Sequence, residues 1–232
     1  MTDMLFCYHF IDNDLQTGEK MKKIVKLSLA TAMLMGMGTV SAQAADNGLS
    51  IMDGVYLKGE IRPRYEFVDA SDNGKNDANA FTNRLTLGAG SDKLFGSDML
   101  GAYLEMTDVH NFNDRYNSTD NGETNYQTVV DPEQTRVTQS YIEVKAAGAK
   151  LRYGRQTINL DNQRFIGSVN WRQMPQTFDA TTLTYSGIKN LNLFASYSTQ
   201  RNGVKDSDDR TTTYGTRDLF LNASYNFKDN CI

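Results

Sequence analysis

Between Val55 and Phe227 the sequence returns repeatedly to one pattern, apolar and polar residues in alternation. A period of two is the side-chain period of a β-strand and does not fit an amphipathic helix. The first stretch sets Val55, Leu57, Ile61, Tyr65 and Phe67 on one face, against Tyr56, Lys58, Glu60, Arg62, Arg64 and Glu66 on the other. Pro63 removes one ladder donor, which predicts an irregular or edge-like strand there. Similar alternations run over Phe81–Ala89, where Asn83 is the exception on the apolar face, and over Leu100–Thr107, Val137–Lys145, Lys150–Gln156, Thr181–Tyr185, Leu191–Tyr197 and Asp218–Phe227. No long helical pattern lies among them.

The connections narrow the class further, because every second one is short. SDKLFGSD, Ala146-Ala147-Gly148 and the five residues from Ser186 to Asn190 alternate with long polar segments. The long ones are VDASDNGKNDAN, about Asp108 to Arg136, Arg152 to Ala180, and about Thr199 to Thr216. Long-short alternation, with aromatics such as Tyr65, Phe67, Tyr225 and Phe227 near the ends of apolar faces, is the pattern of a transmembrane β-barrel with short turns on one side and long loops on the other. Closure also removes the sheet edges that lipid does not tolerate. A secreted sandwich is the competing architecture. It would bury the apolar faces as a core, built of larger aliphatics than these, and has no reason to sort its loops by length. The expected class is all-β, an antiparallel transmembrane barrel with about eight strands present.

The N-terminus supplies an export signal. Residues 1–20 lack periodicity and read as a leader upstream of the true start, since Gly18-Glu19-Lys20 is what a purine-rich ribosome-binding site would encode. From Met21, a basic head (Lys22, Lys23, Lys26), an apolar run from Leu27 to Val40 and Ala42-Gln43-Ala44 form a signal peptide over residues 21–44, cut after Ala44. The apolar run falls short of the roughly 20 residues a helical span requires. Residues 45–232 are then the barrel domain.

Composition excludes several chemistries. Cys7 falls in the leader and Cys231 next to the end, so the exported chain has no disulfide pair and no CxxC metal site. With His9 also in the leader, His110 is alone in a polar stretch and reads as solvated; a hydrolase would lack a base for its nucleophile. A formal net charge of −4 and a mean hydropathy of −0.53 argue against nucleic acid and against helical membrane spans. Asp69, Ser71, Asn73 and Gly74 follow a calcium-loop spacing, but Ala80 stands where its carboxylate should be, so the segment reads as solvated loop. Asp206, Asp208 and Asp209 read as an external loop tip. No cofactor and no metal is expected.

GEIRPRYEFVDA, NRLTLGAG and above all LRYGRQTINLDNQRFIGSVNWRQMPQTFDA resemble the alginate-export family of outer-membrane porins, particularly its porin-like members in Gram-negative bacteria, over about Gly54 to Phe227. The resemblance implies a large barrel of well over eight strands, about twice this length, with a basic lumen that passes anionic or small polar solutes. Such barrels end on a strand with a terminal aromatic, whereas here Phe227 runs into the start of a further turn; the expectation is a truncated N-terminal part.

The polar faces and the Arg152–Ala180 stretch carry the candidate site. Lys58, Arg62, Arg64, Arg84, Lys145, Lys150 and Arg152 face a lumen with Glu60, Glu66, Glu105, Glu143 and Asp218, seven cations against five anions and hence a weak anion preference. Arg155, Arg164, Trp171 and Arg172 would strengthen it if their loop folds inward as a constriction. Arg155 has lipid-facing parity, so either its strand has ended or its side chain snorkels to the outer interface. Each arginine has an alternative as a structural ion pair. The expected function is passive diffusion of small polar or anionic solutes across the outer membrane, with lipid as the other partner. The alternative is a structural or adhesive eight-stranded barrel, its interior packed with side chains and closed to solutes.

Overall fold

A computed structural model describes residues 52–70, 74–205 and 213–227. The leader, the signal peptide with its cleavage after Ala44, Ser71 and Asn73 of the calcium-like spacing, the acidic run Asp206, Asp208 and Asp209, and Cys231 lie outside these residues. The described chain is all-β, with β1 Met52–Val68, β2 Ala78–Leu94, β3 Leu100–Asn111, β4 Gln134–Ala146, β5 Ala149–Gln156, β6 Thr177–Ile188, β7 Leu191–Asn202 and β8 Thr213–Tyr225. They form one antiparallel meander in the order β1 to β8, and no ladder joins β8 back to β1 among the described residues.

The long-short alternation of the connections is present. Residues 95–99, 147–148 and 189–190 close one end, whereas 112–133 and 157–176 cross the other, where β1 also ends and β2 begins, and β7 ends and β8 begins. Ala147 and Gly148, at φ 48° and 79°, form the two-residue turn whose twist matches that of the strands it joins. Pro63 sits in an unbroken register opposite Asn83, so the expected irregularity is absent, and its missing N–H is tolerated because β1 pairs only with β2 among the described residues. β6 runs well beyond Thr181–Tyr185: at its start Phe178 and Ala180 turn apolar side chains to the covered face, opposite in parity to Leu183 and Tyr185, and a register shift at Tyr185/Ile188 interrupts the pattern at its end.

The sheet has two unlike faces. Leu57, Ile61, Tyr65, Leu104, Ile142, Tyr153, Leu219 and Leu221 stand exposed on one, with Leu104 at 55% and Leu221 at 72%. The opposite face buries Thr82, Arg84, Thr107, Thr138, Gln156, Thr182 and Ser196 beneath the long loops. A sandwich in water would do the reverse, since each Å2 of apolar surface left wet forgoes about 25 cal/mol. The arrangement suits a wall with lipid outside and a polar interior.

Two small apolar clusters pin the loops to the covered face. Tyr116 and Val129 of loop 112–133 pack on Ala78 and Ala80 of β2, with Val68 beside them. Ile158 of loop 157–176 packs on Phe178 and Ala180 of β6, with Leu160, Ile166, Phe194 and Phe220 around it. Between the clusters the loops are also held by hydrogen bonds and ion pairs to the strands, with Met174 fully buried among them.

Candidate functional site

Alternation along β1 and β2 aims Arg62, Arg64 and Arg84 at the covered face, where loop 157–176 crosses from β5 and β6 to meet them. Arg62 spends its fork on that loop: Nε donates to Gln173 Oε1 at 3.1 Å, Nη1 to the Asn170 carbonyl at 2.8 Å, and Nη2 to the Arg172 carbonyl. Arg84, 4% exposed, donates to Asn170 Oδ1 at 2.8 Å and pairs with Glu60. Gln173, fully buried, donates from Nε2 to Thr82 Oγ1 at 2.8 Å and to the Arg62 carbonyl at 3.3 Å.

A buried carboxylate joins the second long loop to this assembly. Asp131, 1% exposed in loop 112–133, accepts from Arg64 Nη1 at 2.7 Å on one oxygen and from the Gln173 N–H at 2.9 Å on the other. Arg64 also pairs with Glu66, which in turn accepts from Arg172 Nη1 at 3.3 Å. Burial pushes the Asp131 carboxyl above the ordinary aspartate range, against the opposing pull of the Gln173 N–H and the Arg64 charge. Its carbonyl accepts from the Tyr116 hydroxyl at 3.2 Å, and burial raises that phenol too.

The remaining expected residues are dispersed. Lys58 lies on the same face, its ammonium 5.6 Å and 5.2 Å from the Tyr56 and Tyr103 ring centres, and no carboxylate pairs with it among the described residues. Arg152 is stacked over Tyr141 at 3.9 Å and bonded to Glu143 at 2.8 Å. Arg164 and Trp171 are on the loop, both exposed, Trp171 at 63%. Arg155 departs from expectation: β5 continues past it to Gln156, and it stands on the bare face with Leu151 and Tyr153. There its Nε and Nη2 grip the Asp179 carboxylate at 2.7 and 2.9 Å, and Nη1 reaches the Val137 carbonyl at 3.2 Å. A neighbouring carboxylate thus meets the cost that snorkelling would otherwise avoid, and Arg155 is separated from the arginines at the loop. His110 is exposed, with Nδ1 3.6 Å from Glu133.

Sequence reasoning missed Asp131, Asn170 and Gln173, which do most of the joining. All three lie in loops, where no periodicity marks which side chain turns inward. Asp131 precedes Pro132 in VVDPEQ, a turn signal without chemical meaning by itself.

The comparisons with known proteins agree with this architecture. No curated protein matches the chain. Among solved structures, OccAB1 of Acinetobacter baumannii is similar at 20% identity and a TM-score of 0.61, over 78% of this chain and 43% of that one. A BenF-like porin from Pseudomonas fluorescens Pf-5 is similar at 16% identity and 0.55, over 77% and 47%. OccK2 of Pseudomonas aeruginosa, solved in complex with glucuronate, is similar at 15% identity and 0.50, over 77% and 44%. The chain therefore spans less than half the length of these porins, and the likeness at such identities is one of fold: the antiparallel wall of an outer-membrane porin barrel. The family model for alginate export matches residues 55–223, most of the sequence, and the chain belongs to that family.

Proposed function

We propose that this chain forms wall and constriction of an outer-membrane porin, exported by its N-terminal signal and passing small polar solutes with a weak preference for anions. The observation that carries the reading is the inversion of the sheet, apolar where bare and polar where covered, with one loop held across the polar face by Arg62, Arg84 and Asp131. Loop 157–176 is the constriction in this reading, anchored to the strands through the buried Gln173 and through Asn170. The glucuronate bound by OccK2 suits a small anionic cargo.

The preference is weak for a structural reason. Arg64, Arg84, Arg152 and Arg172 each have a carboxylate partner, and Arg62 has committed its donors to the loop. Paired charges contribute little net field to a passing ion. Lys58, Arg164 and the exposed Trp171 are left to line the path of solutes, with the paired arginines as its frame. Planar-bilayer recording of the full chain under a potassium chloride gradient tests this. The expected result is stepwise conductance whose reversal potential modestly favours chloride and moves towards zero in Lys58→Gln; a cation-selective channel, or no conductance, would overturn it.

A further inference from the structure

A cavity of about 180 Å3 lies between the covered face and loop 157–176, beside the arginine tether. Its size is many times the ~10–15 Å3 that holds one water and suits a single sugar ring. Glu60, Arg84, Thr86 and Glu105 line it from the strands, Asn159 and Asn170 from the loop. Arg84 adds an independent sign: its Nε is buried and has no hydrogen-bond partner, although both its Nη atoms are engaged. An orphaned buried donor on a residue that lines a polar cavity marks a guanidinium whose hydrogen bonding the chain does not complete.

The lining selects against charge. Two carboxylates face one guanidinium that is already paired with Glu60, so an anion entering here meets net repulsion. A cation fares little better, because Glu105 already accepts from the Tyr103 hydroxyl at 2.8 Å, the Thr138 hydroxyl at 2.7 Å and Gln139 Nε2 at 3.0 Å. Hydroxyl groups, each able to donate and accept, match a wall of amides, hydroxyls and partly used carboxylates. We propose that this cavity binds a neutral polyhydroxylated solute of monosaccharide size, its hydroxyls shared among Glu60, Thr86, Glu105, Asn159 and the Arg84 guanidinium. The proposal rests on the covered face being a pore wall open to solutes, but its test needs no conducting pore.

The test is saturation-transfer NMR and calorimetric titration of the full chain folded in detergent micelles, with glucose and glucuronate as probes. Saturable glucose binding is expected, tighter than glucuronate. Thr86→Leu, which puts an apolar side chain into the cavity, should weaken glucose at least tenfold. Glu60→Gln, at a half-exposed position, should weaken glucose and strengthen glucuronate, a reversal that a merely loosened fold does not produce. If Thr86→Leu fails to fold, Glu60→Gln carries the test. No saturable glucose binding, meaning a cavity that holds water only, or glucuronate binding more tightly than glucose, or unchanged affinities in the folded variants would overturn the proposal. Conductance recorded on the same protein separates this outcome from failure of the porin reading.

Discussion

On β3, Leu104 and Thr107 are three residues apart and obey opposite rules: Leu104 stands bare at 55% exposure, whereas Thr107 is buried and bonded to Thr138 at 3.0 Å. The same contrast separates Ile61 from Arg62 on β1 and Tyr153 from Arg152 on β5. In water the apolar set would be the buried one. The difference teaches that two solvents shape this sheet, and that its polar face is ordered by specific hydrogen bonds together with two small apolar clusters.

The largest expected effect comes from putting a charge on the bare face. Leu104→Arg should cost about 2–4 kcal/mol near the bilayer midplane, measured by denaturant titration of the protein refolded into lipid vesicles. On the covered face, Asp131→Ala should cost about 1–3 kcal/mol, because the Gln173 N–H and one side of Arg64 lose a buried acceptor. The pH dependence has a definite sign. The folded-state pKa of Asp131 is raised, so the contribution of this ionisation is present below the ordinary aspartate range and is lost as pH rises through the raised value. The stability gap between the unaltered protein and Asp131→Ala should therefore be widest in acid and narrow towards neutrality. A gap that widens with pH would mean that the Arg64 pair, and not burial, dominates the site. The smallest effect belongs to an exposed charge at the end of β2: Lys93 pairs with Asp98 of the 95–99 turn, and Lys93→Ala should change stability by no more than about 0.5 kcal/mol in the same titration.

The face contrast is also what made the fold legible. Alternation in β1, β2, β3, β7 and β8 survives because lipid and loops impose opposite demands on successive residues. Thr181–Tyr185 falls short of the full β6, since Phe178 and Ala180 are apolar residues on the covered face and reverse the apolar parity on which such reading depends. At the site, Arg62, Arg64 and Arg84 could be assigned to the polar face by counting along a strand. Asp131, Asn170 and Gln173 could not, because their positions are set by contacts over 60 to over 100 residues distant in sequence, such as Arg64 to Asp131 and Arg62 to Gln173. Arg155 shows the limit of treating a cation as a lumen residue by its type: parity put it outside, and a carboxylate on β6 holds it there.

The most direct test of two solvents on one sheet is site-directed spin labelling in lipid vesicles, with Cys7 and Cys231 replaced by Ser and a single label at Leu104→Cys or Gln139→Cys. The account predicts that the label at 104 relaxes with lipid-soluble oxygen and is shielded from a water-soluble nickel chelate, and that the label at 139 shows the reverse. Equal access of the chelate to both positions would contradict it.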